Sequence, residues 1–120
     1  MSTLPTVLIV EDEFLIALGA ADLVQSAGYN TVEVSNADDA VCILEDRPDI
    51  GIVFTDIRMP GSMDGLELAH CIRNRWPPVK IIVTSGHHIL RAGDLPDGGV
   101  FIPKPYTNRE ITSALKAMTA

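Results

Sequence analysis

Ile50-Gly51-Ile52-Val53-Phe54-Thr55-Asp56 is apolar for nearly its whole length and then ends on a carboxylate. So short and uniform a run, stopped on its N-terminal side by Arg47-Pro48-Asp49, reads as a central strand covered on both faces, as in a parallel sheet. The flanking sequence supports this. Towards the N-terminus, Thr31 to Val34 alternates, and Asn36 can cap a helix carrying Val41, Ile43 and Leu44. Before that come a β-branched run, Thr6 to Val10, and an amphipathic stretch with Leu15, Leu18 and Ala21 on one face, closed by Gly28. Towards the C-terminus, Asp64 to Trp76 places Leu66, Ala69 and Ile72 at helical spacing before Pro77-Pro78. Val79 to Thr84 and Gly99 to Ile102 supply two more strands. The last helix starts at Thr107, whose hydroxyl can form a capping box with Glu110, and presents Ile111, Leu115 and Met118 to the core. Alternation of this kind predicts an α/β fold with a parallel sheet, right-handed crossovers and helices on both faces.

Size and composition narrow the function classes. A chain of 120 residues with 47% hydrophobic content fits one domain with a single core. The formal net charge of −7, with only nine Lys and Arg scattered along the chain, excludes a phosphate-binding surface for direct nucleic-acid contact. Nothing approaches the ~20 apolar residues of a membrane span, and Met1 to Pro5 lack the features of a signal peptide. Cys42 and Cys71 fall within apolar helical patterns and are expected to be small core residues. A cytoplasmic location is the expectation.

In parallel sheets, ligands bind beyond the carboxyl ends of the strands where the strand order reverses. Glu11, Asp12, Asp56, Ser85 and Lys104 all fall at such ends. Carboxylates packed together repel one another unless a cation is bound, so their convergence calls for a divalent metal. A lysine beside them suits a phosphoryl group, and Asp56 is then placed to act as a nucleophile.

The set Val10-Glu11-Asp12-Glu13, Asp56-Ile57-Arg58-Met59-Pro60, Met63-Asp64-Gly65, Thr84-Ser85-Gly86 and Phe101-Ile102-Pro103-Lys104-Pro105-Tyr106 resembles the two-component response-regulator receiver domain. These elements occur in family order along essentially the whole chain, residues 1–120. The resemblance implies a flavodoxin-like, chemotaxis-regulator-like fold with strand order 2-1-3-4-5. It also implies a phosphoacceptor role for Asp56, with a sensor histidine kinase or histidine phosphotransfer protein as donor and an unidentified downstream protein as target. Mg²⁺ is the implied cofactor. Asp12 and Asp56 would be direct ligands, Glu11 would act mainly through water, and Arg58 would contribute its backbone carbonyl. Lys104 would pair with Asp56 at rest and with a phosphoryl oxygen afterwards, next to a cis Lys104-Pro105 bond. Ser85 is the expected switch hydroxyl, with Thr84 its nearest competitor, and Phe101 the expected switch aromatic or else an ordinary core residue. The domain would not be a turnover enzyme, although it would promote its own phosphorylation and dephosphorylation. It would be a monomer or a weak, phosphorylation-dependent dimer.

Two departures from the family pattern stand out. Gly93, Pro96, Gly98 and Gly99 crowd the stretch between Ser85 and Lys104, so a short or irregular fourth helix is expected there. That helix, the fifth strand and the last helix form the family's usual partner face. The loop after Pro60 is one residue longer than its commonest form, with Gly61 and Ser62 both preceding Met63. His87 and His88 are expected to be rim residues rather than ligands, since no Cys or His cluster accompanies them. Trp76 reads as a helix-end packing residue.

Rival functions fit less well. An aspartyl-phosphate phosphatase or mutase would need a second carboxylate where Arg58 stands. A flavin-binding protein of this topology would need a phosphate cradle where Glu11 and Asp12 stand. The alternatives kept open are a degenerate receiver that binds partners without phosphorylation and the receiver fragment of a hybrid histidine kinase. The absence of a charged or Pro-rich linker at either end slightly favours a stand-alone regulator.

Overall fold

β3, Ile50–Asp56, occupies the middle of a five-stranded sheet of order β2-β1-β3-β4-β5, and every one of its residues except Gly51 is buried. This is the position its unbroken apolar run requires. The computed structural model describes residues 4–86, 90, 91 and 93–119. Around β3 the order is β1 Thr6–Val10, α1 Phe14–Ser26, β2 Thr31–Val34, α2 Ala37–Asp46, α3 Gly65–Arg75, β4 Lys80–Ser85, β5 Val100–Pro103 and α4 Asn108–Thr119. All four strand pairings are parallel. Five parallel strands in this order, with four helices among the described residues, constitute the flavodoxin-like arrangement expected from the sequence.

The strands' two-residue alternation divides the core into two layers. Leu8, Val10, Val53, Ile81 and Val83 pack with Leu44 of α2 and Leu68, Ala69 and Ile72 of α3. Val7, Ile9, Ile52, Phe54, Ile82 and Ile102 face Ala20, Ala21 and Val24 of α1 and Ile111 and Leu115 of α4. Burial of these side chains, with each Val, Leu, Ile or Phe contributing roughly 1.5–3 kcal/mol and each Ala less, is the main force holding helices to the sheet.

Helix ends follow their sequence signals. The Asn36 side chain accepts the Asp39 amide at 2.8 Å, capping α2. Asp64 and Glu67 form a capping box on α3, and Thr107 and Glu110 form the expected one at the start of α4. Strands β4 and β5 each start one residue later than their apolar runs. The Val79 amide closes a turn onto the Trp76 carbonyl at 2.9 Å, and the Gly99 amide closes one onto Pro96 at 3.0 Å.

Three expectations are corrected. Leu15 and Leu18 were expected on the buried face of α1 but are 78% and 45% exposed; Ala17, Ala20, Ala21 and Val24 turn inward instead. The sequence Phe14-Leu15-Ile16-Ala17-Leu18 is apolar on every face, so spacing alone does not choose a side. Small alanines let the helix backbone approach the sheet. Cys42 was expected in the core but is exposed, because it lies between the inward residues Ala40 and Leu44 on the opposite side of α2; Cys71 is half-buried.

Between β4 and β5 the described residues form turns and bends without a helix; residues 87–89 and 92 of the segment where a short or irregular fourth helix is expected lie outside the described residues. His87 and His88 lie outside the described residues. Trp76 follows the end of α3 as expected, packed against the core and covered by the Arg75 guanidinium at 4.4 Å.

Candidate functional site

The carboxyl ends of β1, β3, β4 and β5 bring together every acidic and basic side chain that sequence reasoning placed there. β1 and β3 pair in register from Val10 to Thr55, so the residues after them, Glu11 with Asp12 and Asp56, emerge side by side. The Glu11 amide donates to the Val34 carbonyl at 3.0 Å, which fixes the turn out of β1. Carboxylate oxygens of Glu11, Asp12 and Asp56 lie within 4.8 Å of one another. Glu11 and Asp56 are buried, whereas Asp12 is exposed.

Lys104 joins this group from β5. Its ammonium donates to Glu11 Oε1 at 3.2 Å and to Asp56 Oδ2 at 3.3 Å. The bond to Asp56 is the expected one; the bond to Glu11 was missed. The available signal was strand order, because a lysine reaching from β5 across β4 to β3 arrives beside β1 as well. The other Glu11 oxygen, Oε2, accepts the Glu13 amide at 3.1 Å. The Lys104-Pro105 bond is cis, as the family pattern implies.

These contacts set the electrostatics. Burial pushes the Glu11 carboxyl above the ordinary glutamate range, and the Asp56 charge adds to it, while the Glu13 amide and Lys104 pull the other way. Burial alone would lower the Lys104 pKa, but the attraction of Asp56 and Glu11 and their hydrogen bonds carry it above the ordinary value. Lys104 is thus a firmly held cation in a cluster that otherwise carries excess negative charge. Tyr106, which sequence reasoning assigned no role, packs edge-on against Phe54 with ring centroids 5.7 Å apart. Its phenol is pushed up by burial, against the pull of Lys104.

An open cavity of about 410 Å³ is lined by Asp12, Glu13, Ile16, Asp56, Arg58, Ser85, Gly86 and Lys104. Ser85 is buried at the end of β4 and contributes to this wall, while Thr84 does not. The Lys104 amide donates to the Ser85 carbonyl at 3.0 Å, which ties the two backbones together at the sheet edge. Arg58 is exposed on the wall beside Asp56. Phe101 is half-buried against the α2 and α3 layer with Leu90 and Leu95. The longer loop after Pro60 turns at Gly61, whose φ of 108° only glycine adopts easily, and Ser62 donates to Asp38 of α2 at 2.7 Å. A second hollow of about 460 Å³ runs along this loop past Asp12, Arg58 and Asp64.

A sequence-family model described as "Response regulator receiver domain" matches residues 7–116. The chain belongs to this family. It is 34% identical over 117 residues to "Sensor kinase CckA" of Brucella abortus, covering 94% of this chain but 12% of that protein. It is also 33% identical to "Putative response regulator NtrX-like" of Rickettsia bellii, covering 92% of this chain and 24% of that one. Among solved structures it resembles a response regulator receiver protein from Sinorhizobium medicae, with a TM-score of 0.88 and 28% identity over 95% of this chain and 93% of that chain. The receiver domain from hybrid histidine kinase CckA superposes with a TM-score of 0.81 and 27% identity, covering 96% of this chain and 99% of that one. This receiver domain therefore has the role of a phosphoacceptor signalling module of two-component systems, and no helix among its described residues is long and apolar enough to cross a membrane.

Proposed function

We propose that Asp56 of this receiver domain accepts a phosphoryl group from the phosphohistidine of a sensor histidine kinase or histidine phosphotransfer protein, and that the product changes the domain's affinity for a downstream protein. The observation carrying this reading is the convergence of Glu11, Asp12 and Asp56 within 4.8 Å, with the Lys104 ammonium bridging two of them. A carboxylate oxygen of Asp56 attacks phosphorus, the bond from phosphorus to the imidazole nitrogen breaks, and its electron pair stays on the ring. An aspartyl phosphate results. Lys104 then turns from the Asp56 carboxylate to a phosphoryl oxygen, and the Ser85 hydroxyl donates to another. Phe101, packed beside the β4–β5 connection, follows the movement of Ser85.

The donor set fits Mg²⁺, a hard cation that takes oxygen ligands. Asp12 and Asp56 would hold it directly, Glu11 through water and Arg58 through its backbone carbonyl. When bound, Mg²⁺ screens the nucleophile from the incoming group and offsets charge on the equatorial oxygens. In this reading residues 1–120 form one cytoplasmic receiver domain, a monomer or weak phosphorylation-dependent dimer, that assists its own phosphorylation and dephosphorylation without being a turnover enzyme. A second reading, the receiver segment of a longer sensor kinase, is supported by the 34% identity to such a protein.

Intact-mass spectrometry after incubation with acetyl phosphate tests the proposal. One added phosphoryl group that requires Mg²⁺ and is lost in Asp56→Asn supports it. A folded native chain that takes no phosphoryl group points instead to a phosphorylation-independent partner-binding receiver.

A further inference from the structure

Thr84 is 1% exposed, and its Oγ1 has no hydrogen-bond partner among the described residues. A buried hydroxyl in that state is rare and calls for an explanation. Its position is well defined. Thr84 sits in register with Asp56 on one side and Ile102 on the other. Its carbonyl accepts the Ile57 amide at 3.0 Å, and the next carbonyl, that of Ser85, accepts the Lys104 amide at 3.0 Å. Alternation along β4 puts Thr84 on the face of Ile82, whose layer includes Ile102, Phe54 and Tyr106, and puts Ser85 on the other face. Asp56 and Lys104 are two residues beyond Phe54 and Ile102 and start on that same face.

Lys104 leaves the end of β5 and contacts Asp56 on β3 and Glu11 on β1, so its side chain must cross the end of β4. Its ammonium has three protons, and two are committed to those carboxylates. We propose that Thr84 is a positioning residue for phosphoryl transfer: its buried hydroxyl accepts the remaining Lys104 proton once the ammonium, still held by Glu11, swings from the Asp56 carboxylate towards a phosphoryl oxygen. The hydroxyl is then unsatisfied at rest and satisfied in the phosphorylated state, which favours the latter. Ser85 and Thr84 divide the work by face: one donates to the phosphoryl group, and the other holds the lysine that does so. This rests on the Asp56 reading above.

The test compares native chain, Thr84→Val and Thr84→Ser for unfolding midpoint, acetyl-phosphate labelling rate and half-saturation, and survival of the acyl phosphate. Valine keeps the shape and removes the hydroxyl. The expected result is a Thr84→Val chain that unfolds no more easily than native but labels about tenfold more slowly at saturating donor, the scale of one hydrogen bond to a charged group. Thr84→Ser should recover most of the rate. Native labelling with unchanged kinetics in Thr84→Val, or equal loss in valine and serine variants, overturns this proposal alone. Failure of the native chain to label overturns the Asp56 reading and this proposal with it. If Thr84→Val does not fold, Thr84→Ser and Thr84→Ala decide the matter by whether rate follows the hydroxyl.

Discussion

The chain leaving β3 and the chain leaving β4 start from the same edge of the sheet and solve the same problem differently. After β3, the loop through Pro60 and Gly61 feeds α3, where the Asp64 and Glu67 capping box and the Gly65 amide on the Ile57 carbonyl at 2.8 Å satisfy the first turn locally. After β4, the described residues up to β5 contain no helix, and two side chains of α3 hold that stretch. His70 Nε2 donates to the Asp94 carbonyl at 2.8 Å, and Arg73 Nε donates to the Asp97 carbonyl at 2.8 Å. A helix satisfies its own backbone; the β4–β5 connection relies on its neighbour. The order of the second region can therefore change without melting the first. Ser85 and Phe101, at the two ends of this connection, are the residues proposed above to move on phosphorylation.

Gly65→Ala should break the more rigid of the two regions. A Cβ at Gly65 would lie 1.9 Å from the Asp56 carbonyl oxygen and 2.8 Å from Ile57 Cα, backbone atoms that cannot yield without moving the strand end. The expected loss is about 3 kcal/mol or more by urea unfolding. Phosphoryl uptake should fall along with stability, because the strain falls on Asp56 itself. A near-native midpoint would mean that this junction is looser than its packing implies. Arg73→Met should have a smaller and more localised effect. Arg73 also donates through Nη1 to the Pro77 carbonyl at 2.5 Å and the Val79 carbonyl at 3.1 Å, and methionine keeps the stem without these bonds. About 1–3 kcal/mol should be lost. Hydrogen exchange should quicken at residues 93–99 well beyond the change at α3 amides. Uniform quickening would show that the two regions open together.

The strongest sequence signals were those in which one residue type has one physical outlet. The unbroken run of β3 could be buried only by covering both faces, and the acidic and basic residues at strand ends could converge only if the strands were parallel. Both follow from the order of runs and breakers. The face of α1 was not legible, because Phe14, Leu15, Ile16 and Leu18 offer apolar surface all round and only the tertiary fit selects Ala17, Ala20, Ala21 and Val24. The Lys104 contact with Glu11 depends on side-chain reach across two strands, which spacing does not encode. His70 and Arg73 lie at polar positions of α3 and carry no motif in the sequence. Their backbone partners lie in an irregular stretch with no periodicity to announce it.

His70 offers the finest cut between the two regions. Its ring is exposed and supplies one bond to the loop, so His70→Ala should cost only about 0.5–1 kcal/mol globally. Its effect should be concentrated at the turn where the Asp94 amide returns to the Arg91 carbonyl at 3.0 Å, and where the Asp94 carboxylate accepts the Arg91 amide at 2.7 Å. Because a carbonyl oxygen only accepts, Nε2 must carry the proton in this contact. The loop amides of the His70→Ala chain should exchange faster than those of the native chain. If the loop of the variant instead exchanged at the native rate, the tether to Asp94 would not be what orders this side of the molecule.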